Sequence, residues 1–144
     1  MGSGKSTVGK MISSSLNLPW IDLDHYLEEK ENCSIPEIFA KKGETYFREM
    51  ERFYLKEILN KEQSVISLGG GAVCNDLVWD DIHKKSLSVY LKFSPKVLSA
   101  RLIDSKTKRP LIEGKTLEEL IAFVEQHLAE REPYYTRATF IAEN

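Results

Sequence analysis

The chain has 144 residues, 42% hydrophobic and 29% charged, with a formal net charge of −2. This length predicts one domain with a sizeable core, and no apolar run approaches the ~20 residues that cross a bilayer. No segment concentrates Lys and Arg, so the composition argues against nucleic-acid binding as well as membrane insertion. Cys33 and Cys74 lie in no metal or redox motif, and the first residues lack a signal-peptide-like apolar stretch, so we predict a cytoplasmic protein.

Segments with the pattern of a helix alternate along the chain with segments that have the pattern of a strand. This alternation predicts an α/β fold with a parallel sheet. Ser34 with Glu37 and Thr116 with Glu119 form capping boxes that mark the starts of helices. In chain order, the predicted helices cover Lys5–Leu16, 34–40, 44–59 and segments from 95 and 117, and the predicted strands cover Trp20–Asp22, 64–68, 87–93 and 138–142.

The opening of the chain carries the strongest functional motif. Its sequence Gly-Ser-Gly-Lys-Ser-Thr matches the end of the phosphate-binding loop G-x-x-x-x-G-K-[ST]. Lys5 would reach the β- and γ-phosphates of a nucleotide, and the Ser6 hydroxyl would hold Mg²⁺. A flexible Gly/Ser terminus is the alternative, but the amphipathic helix that follows directly favours the phosphate loop. The predicted nucleotide-binding residues are therefore Gly2, Ser3, Gly4, Lys5, Ser6 and Thr7.

Both ends of the sequence differ from what this motif leads us to expect. The first glycine of the motif and the strand that should precede it are absent, and nothing follows the last predicted strand. We therefore expect a fragment of a longer protein, or a start codon assigned too late.

Carboxylates follow the first predicted strand, where the chain leaves the sheet. After a phosphate loop, Asp22 would hold a Mg²⁺-bound water, and Asp24 would bind the acceptor hydroxyl and accept its proton. The alternative is a strand ended by solvated charge, with Asp24 starting a helix over 25–30. The phosphate loop makes the functional interpretation the better one.

Arg48 and the glycines after the strand at 64–68 are the next candidates. Arg48 would bind a substrate carboxylate through both ends of its guanidinium, although helix periodicity alone favours a surface pair with Glu44. Gly69, Gly70 and Gly71 have no packing role, and a simple turn needs fewer glycines. Their backbone N–H groups would approach a ligand at the carboxyl edge of the sheet.

Basic residues near the end of the chain complete the set. Residues 104–115 are polar and basic and predict a mobile loop, in which Arg109 would neutralise phosphate charge as the loop closes. Arg131, in a segment placed after the last helix, would add a second clamp on an acidic substrate. Taken singly, each is better explained as a solvated charge.

The order of these motifs resembles the shikimate kinase family over essentially the whole chain. The matching segments are G-S-G-K-S-T, D-L-D, F-R-E-M-E, G-G-G-A, K-R-P-L and R-E-P-Y-Y. The resemblance implies a P-loop kinase fold, a three-layer α/β/α domain with a five-stranded parallel sheet in order 2-3-1-4-5. It also implies ATP-dependent phosphorylation of the 3-hydroxyl of shikimate, with Mg²⁺, in aromatic amino-acid biosynthesis.

The resemblance also implies roles for individual residues. Lys5 and Ser6 match the nucleotide and Mg²⁺ residues, Asp22 the acid near the metal, and Asp24 the acid that binds shikimate hydroxyls. The other matches are Arg48 and Arg131 to the shikimate carboxylate, Gly69, Gly70 and Gly71 to the acceptor site, Arg109 to the lid, and Arg101 to a position near adenine. Residues 1–144 would form one domain, with an acceptor-binding region at 23–60, a lid at 104–115, and the first strand and C-terminal helix missing.

Other functions remain to be weighed against this one. A gluconate or nucleoside-monophosphate kinase would share the fold but would not need a double arginine clamp together with three glycines. A catalytically inactive relative that binds a nucleotide or a protein partner would tend to lose one of Lys5, Ser6, Asp24 and Arg109, all of which are present. We expect a monomer that binds shikimate and ATP.

Overall fold

A computed structural model describes residues 2–104 and 114–143 of the chain. The structure divides into two compact units, the first formed by Gly4–Leu87 and the second by Ser88–Asn144 with Met1–Ser3. Within the described ranges, no helix combines the length and the apolar character that crossing a membrane requires.

The first unit contains one pair of parallel strands and four helices. Its elements are α1 (Lys5–Leu16), β1 (Trp20–Asp22), α2 (Leu23–Glu31), α3 (Ile35–Leu59), β2 (Val65–Ser67) and α4 (Asp76–Lys85). β1 pairs with β2 in parallel, with Trp20 opposite Val65 and Asp22 opposite Ser67. The strands therefore end at the same level, and the residues that follow them lie at one edge of the pair.

Helix α4 was not predicted from the sequence. Its start is set by Asn75, whose side-chain oxygen accepts a hydrogen bond of 2.9 Å from the Leu77 amide. Val78, Trp79 and Ile82 are buried, at the spacing of one helix face. The helix is only 10 residues long, and charged residues interrupt its apolar pattern.

Helix α3 changes direction at Gly43. This residue has φ 81° and ψ 174°, a conformation that only glycine adopts readily. The break separates the two helices predicted over 34–40 and 44–59, and the capping box at Ser34 is present. Residues from both sides of the break, Ile38 and Phe47, pack against Leu27 of α2 in a buried cluster. Helix α2 is therefore fixed against both halves of α3.

The second unit contains the other parallel pair. Its elements are β3 (Val89–Lys92), α5 (Pro95–Ile103), α6 (Leu117–Tyr135) and β4 (Phe140–Glu143). β3 pairs with β4, with Val89 opposite Phe140. Helix α5 packs on α6 through a core of four buried residues, Leu98, Leu102, Leu120 and Val124.

The prediction that Arg131 follows the last helix was wrong, because α6 continues to Tyr135. Pro133 lies inside the helix, in its last turn; it removes one backbone hydrogen bond, and few helical residues follow it. Thr136 then closes the helix, since its amide and its hydroxyl each donate a 2.9 Å hydrogen bond to the Glu132 carbonyl.

Candidate active site

The phosphate-loop glycines have the backbone conformation that such a loop needs. Gly2 and Gly4 have φ of 72° and 76°, in the left-handed region that glycine tolerates. Gly4 is the N-cap of α1, and the helix starts at Lys5, with Ser6 and Thr7 in its first turn. The first amides of α1 have no carbonyl partners within the helix, so this end provides donors and a partial positive charge for an anion.

Asp22 connects the first turn of α1 to the start of α2. It is the last residue of β1 and the N-cap of α2, where its Oδ1 accepts a 3.1 Å hydrogen bond from the Asp24 amide. Its other carboxylate oxygen, Oδ2, accepts a 3.2 Å hydrogen bond from the Ser6 hydroxyl. One carboxylate oxygen of Asp22 thus caps the start of α2, and the other accepts a hydrogen bond from a residue of α1.

The pair of Ser6 and Asp22 fits Mg²⁺. The ion prefers oxygen ligands, keeps several waters, and takes one or two protein ligands when substrate phosphates supply the rest. A hydroxyl and a carboxylate oxygen 3.2 Å apart satisfy that requirement. In the part of the chain that the structure describes, His, Cys, Asp and Glu form no cluster of three or more suited to a metal.

Asp24 lies in the first turn of α2 and has an unusual electrostatic environment. Burial raises the pKa of its carboxyl above 3.8, and the charge of Asp22 raises it further. The cations of Lys5 and Arg48 act in the opposite direction. A carboxylate with a raised pKa is a better proton acceptor than an ordinary one.

Arg48, in the second half of α3, is held by carboxylates of its own helix. Its Nη1 lies 2.7 Å from Oε2 of Glu51 and its Nη2 lies 3.6 Å from Oε1 of Glu44. The pair with Glu44 confirms the surface interaction considered from the sequence, but the shorter contact, with buried Glu51, was missed. The sequence contained a signal for this contact, because Glu51 follows Arg48 by three residues and therefore lies on the same helix face.

The glycine loop brings Asp24 and Arg48 together. A β-carbon on Gly71 would lie 2.6 Å from both terminal nitrogens of Arg48, which is far inside van der Waals contact. A β-carbon on Gly69 would lie 3.1 Å from Oδ1 of Asp24 and 3.6 Å from Oε1 of Glu51. Glycine at these positions therefore leaves the space that the two charged side chains occupy, in addition to the backbone access expected from the sequence. Between them, Gly70 accepts a weak 3.5 Å hydrogen bond from the Cys74 thiol.

A buried contact beneath α1 supports Lys5. The indole N–H of Trp20 donates to Oγ of Ser67 at 3.0 Å, and that hydroxyl donates to the Lys5 carbonyl at 3.3 Å. Gly9 leaves room for this chain, because a β-carbon there would lie 2.6 Å from Ser67 Oγ. The ends of β1 and β2 thereby set the position of the first turn of α1, and no role was predicted for Trp20, Ser67 or Gly9 from the sequence.

The remaining predicted residues lie elsewhere in the chain. Arg101 is on α5, with its guanidinium carbon 4.2 Å from the centre of the Phe93 ring. Arg131 is half-buried on α6. Both belong to the second unit. Arg109 and residues 105–113 of the predicted lid lie outside the described residues.

Comparisons with known proteins agree on one family. The family model for shikimate kinase matches residues 1–144. The shikimate kinase of Bacteroides thetaiotaomicron is 43% identical over 141 residues, which cover 98% of this chain and 81% of the relative. A crystal structure of the shikimate kinase from that species is similar with a TM-score of 0.93 at 42% identity, covering 99% of this chain and 81% of the other. The shikimate kinase of Acinetobacter baumannii in complex with shikimate has a TM-score of 0.85 at 31% identity, covering 100% of this chain and 79% of the other.

Proposed function

Because the chain belongs to the shikimate kinase family, we propose that the site around Lys5, Asp24 and Arg48 transfers the γ-phosphate of ATP to the 3-hydroxyl of shikimate. The family catalyses ATP-dependent phosphorylation of shikimate in aromatic amino-acid biosynthesis, and the chain is an enzyme of that class with the α/β fold of P-loop kinases. The residue roles below are the part that we propose.

The chemistry is an in-line displacement at the γ-phosphorus. The shikimate oxygen forms the new P–O bond as the bond to the bridging oxygen breaks and ADP leaves. The hydroxyl proton passes to Asp24, whose raised pKa suits a proton acceptor. Lys5 stabilises the negative charge on the phosphoryl oxygens, so the protein contributes positioning and charge and forms no covalent intermediate.

The observation that carries the proposal is the placement of Asp24 and Arg48 against the same glycine loop. Shikimate has hydroxyl groups and a carboxylate, so a proton acceptor beside a guanidinium matches both of its polar functions. A nucleoside monophosphate offers no carboxylate to such a pair. The A. baumannii relative, solved with shikimate, supports this assignment of ligand.

Mg²⁺ would be held by the hydroxyl of Ser6 and, through water, by Asp22. When bound, the ion would neutralise charge on the β- and γ-phosphates. The amides of Gly2, Ser3, Gly4 and Thr7 would contact the same phosphates.

The resemblance in sequence, and not the geometry, supports the roles of the arginines outside the first unit. On that basis we propose that Arg131 binds the shikimate carboxylate with Arg48, that Arg109 acts from a lid at 104–115, and that Arg101 lies near adenine. The acceptor-binding region would extend over 23–60, which includes α2 and most of α3.

The sheet order 2-3-1-4-5 and the single domain over 1–144 also stay proposals. If a strand before Gly2 is counted as the first, then β1 with β2 and β3 with β4 correspond to the neighbours 2-3 and 4-5, and both pairs are parallel as expected. We further propose a cytoplasmic monomer, in keeping with Cys33 and Cys74, which form no disulfide with each other.

A coupled assay of ADP release tests the proposal. With Mg²⁺ and ATP, shikimate should stimulate ADP release and gluconate should not, because the two acids separate this activity from that of the related sugar-acid kinases. Stimulation by gluconate alone would point to the rival kinase, and nucleotide binding without any turnover would point to an inactive relative.

A further inference from the structure

Glu31, the last residue of α2, makes contacts on both sides of the break in α3. Its Oε2 accepts hydrogen bonds from Lys42 Nζ at 3.0 Å and from the Tyr46 hydroxyl at 2.8 Å. Its Oε1 accepts another from the Tyr54 hydroxyl at 2.8 Å. Lys42 precedes Gly43, whereas Tyr46 and Tyr54 follow it, so one carboxylate joins the end of α2 to both halves of α3.

Burial and hydrogen bonding of Glu31 stabilise this junction between α2 and α3. The side chain is only 9% exposed, and its partners are hydroxyls and an ammonium. Those hydrogen bonds, with Tyr46 first and Tyr54 next, lower the pKa of the Glu31 carboxyl, so the group stays ionised at neutral pH. Lys42 also donates to the Tyr46 hydroxyl at 3.0 Å, which closes a ring of contacts across the break.

The same two helices, α2 and α3, carry the residues that we propose for the acceptor site. Asp24 is in the first turn of α2, and Arg48 follows Tyr46 by two residues in the second half of α3. Two residues correspond to roughly 200° of rotation about the helix, so Tyr46 and Arg48 lie on opposite sides of it. Glu31 holds one side of this helix while Arg48 meets Gly71 from the other.

We propose that Glu31 is a positioning residue for the acceptor site, which sets the distance and angle between Arg48 and Asp24 by pinning α3 across its break at Gly43. The inference rests on the proposed function, since it concerns how the acceptor is bound. Without the carboxylate, the packing of Ile38 and Phe47 on Leu27 still joins the two halves of α3 to α2, but the angle at Gly43 is less restrained and the guanidinium moves relative to the carboxyl of Asp24. Phosphate-loop contacts are not altered, because α1 has no part in the junction.

Steady-state kinetics of Glu31→Gln test this role. The variant keeps the shape of the side chain and loses its charge. We expect the KM for shikimate to rise about tenfold, with kcat and the KM for ATP within about twofold of their original values. Glu29→Gln is the matched control, since Glu29 is on the same helix, 66% exposed and paired only with His25 among the described residues, and it should leave all constants unchanged.

Hydrogen exchange provides a readout that does not depend on turnover. Amides of residues 44–51 should exchange faster in Glu31→Gln than in Glu29→Gln, because the second half of α3 is less restrained. Tyr54→Phe, which removes one donor and keeps the ring, should shift the KM for shikimate in the same direction by a smaller factor. If Glu31→Gln does not fold, the KM for shikimate of Tyr54→Phe tests the positioning role of Glu31 instead.

The results that would overturn the inference are specific. An unchanged KM for shikimate in folded Glu31→Gln, or an equal rise in both KM values, would show a purely structural role. The unaltered chain is assayed in parallel, so a failure of shikimate to stimulate ADP release there would refute the proposed function itself and not merely the part played by Glu31.

Discussion

The guanidinium of Arg48 lies against Gly71 with no space for a side chain between them. A β-carbon at that position would lie 2.6 Å from both Nη atoms and 2.9 Å from Cζ. The same loop leaves a different gap at Gly69, where a β-carbon would lie 3.1 Å from Asp24 Oδ1. Gly69 and Gly71 therefore make room for different charged groups. Substitution of one should affect acceptor binding and substitution of the other should affect the catalytic rate.

Gly71→Ala should raise the KM for shikimate about tenfold or more and lower kcat less, because the new methyl group displaces the Arg48 guanidinium. Gly69→Ala should chiefly lower kcat, because its methyl group crowds the Asp24 carboxylate. Steady-state kinetics of the two variants, with circular dichroism to confirm folding, provide the comparison. Identical kinetic changes in both variants would contradict this division.

Asp24→Asn should reduce kcat by a factor of roughly a hundred or more, while the affinity for Mg²⁺-ATP stays near its original value. An amide cannot accept the hydroxyl proton.

In the unaltered enzyme kcat/KM should fall as the pH drops through the pKa of Asp24, which burial raises above 3.8. That acid limb should be absent from the residual activity of Asp24→Asn. Rates near those of the unaltered enzyme would exclude Asp24 as the base.

Gly9→Ala should destabilise the chain by about 1–3 kcal/mol. The added carbon would lie 2.6 Å from Ser67 Oγ and 2.7 Å from Trp20 Nε1, so it would disrupt the hydrogen bonds that support Lys5. The shift in the urea midpoint measures the effect. Ser14→Ala on the exposed face of the same helix is the control and should be neutral or slightly stabilising. Equal stability of the two variants would show that the Trp20–Ser67 contact is dispensable.

Arg131→Ala should raise the KM for shikimate with little change in the KM for ATP, as expected of a residue that binds the substrate carboxylate. Arg137→Ala, on the same unit and past the end of α6, provides a comparison for a general loss of positive charge. If the KM for shikimate does not change in Arg131→Ala, the residue has no part in the clamp.

Glu57 should contribute to the acid sensitivity of the fold. Hydrogen bonds from Lys61 and Tyr26 lower the pKa of its carboxyl from 4.5 to about 2. A carboxyl with a lowered pKa stabilises the folded state above pH 4.5, and this contribution is lost as the pH falls toward 2. Glu57→Gln should therefore unfold at lower urea concentration at neutral pH and show a flatter dependence on pH below 4.5. Glu62→Gln, at a neighbouring exposed glutamate, is the control, and an unchanged pH profile in Glu57→Gln would contradict the assignment.

The sequence predicted the local elements well where a chemical signal marks a boundary. The capping boxes at Ser34 and Thr116 begin helices where expected, and Gly43 separates two helical segments. The signal was weaker for α4, whose start depends on Asn75 alone, and it was misleading at Pro133, which the last turn of α6 accommodates. Propensity rules describe a helix interior better than its final turn.

For the site, the sequence predicts which residues act but not the contacts that support them. The residue types of Lys5, Asp24 and Arg48, and their order in the chain, are the basis of the roles that we propose for them. Pairs such as Trp20 with Ser67, 47 residues apart, depend on the register of β1 and β2, which no local pattern specifies. The clearance at Gly71 likewise depends on the rotamer of Arg48, a tertiary property.

Identification of the product is the sharpest test of the proposed phosphorylation of the 3-hydroxyl of shikimate. The chain, Mg²⁺, ATP and shikimate are incubated together, and the product is examined by phosphorus–proton correlation NMR. Our account predicts a single phosphomonoester whose phosphorus couples to the proton on carbon 3 of shikimate, formed in proportion to ADP. ADP without a phosphorylated shikimate, or a phosphate on a different hydroxyl, would contradict it.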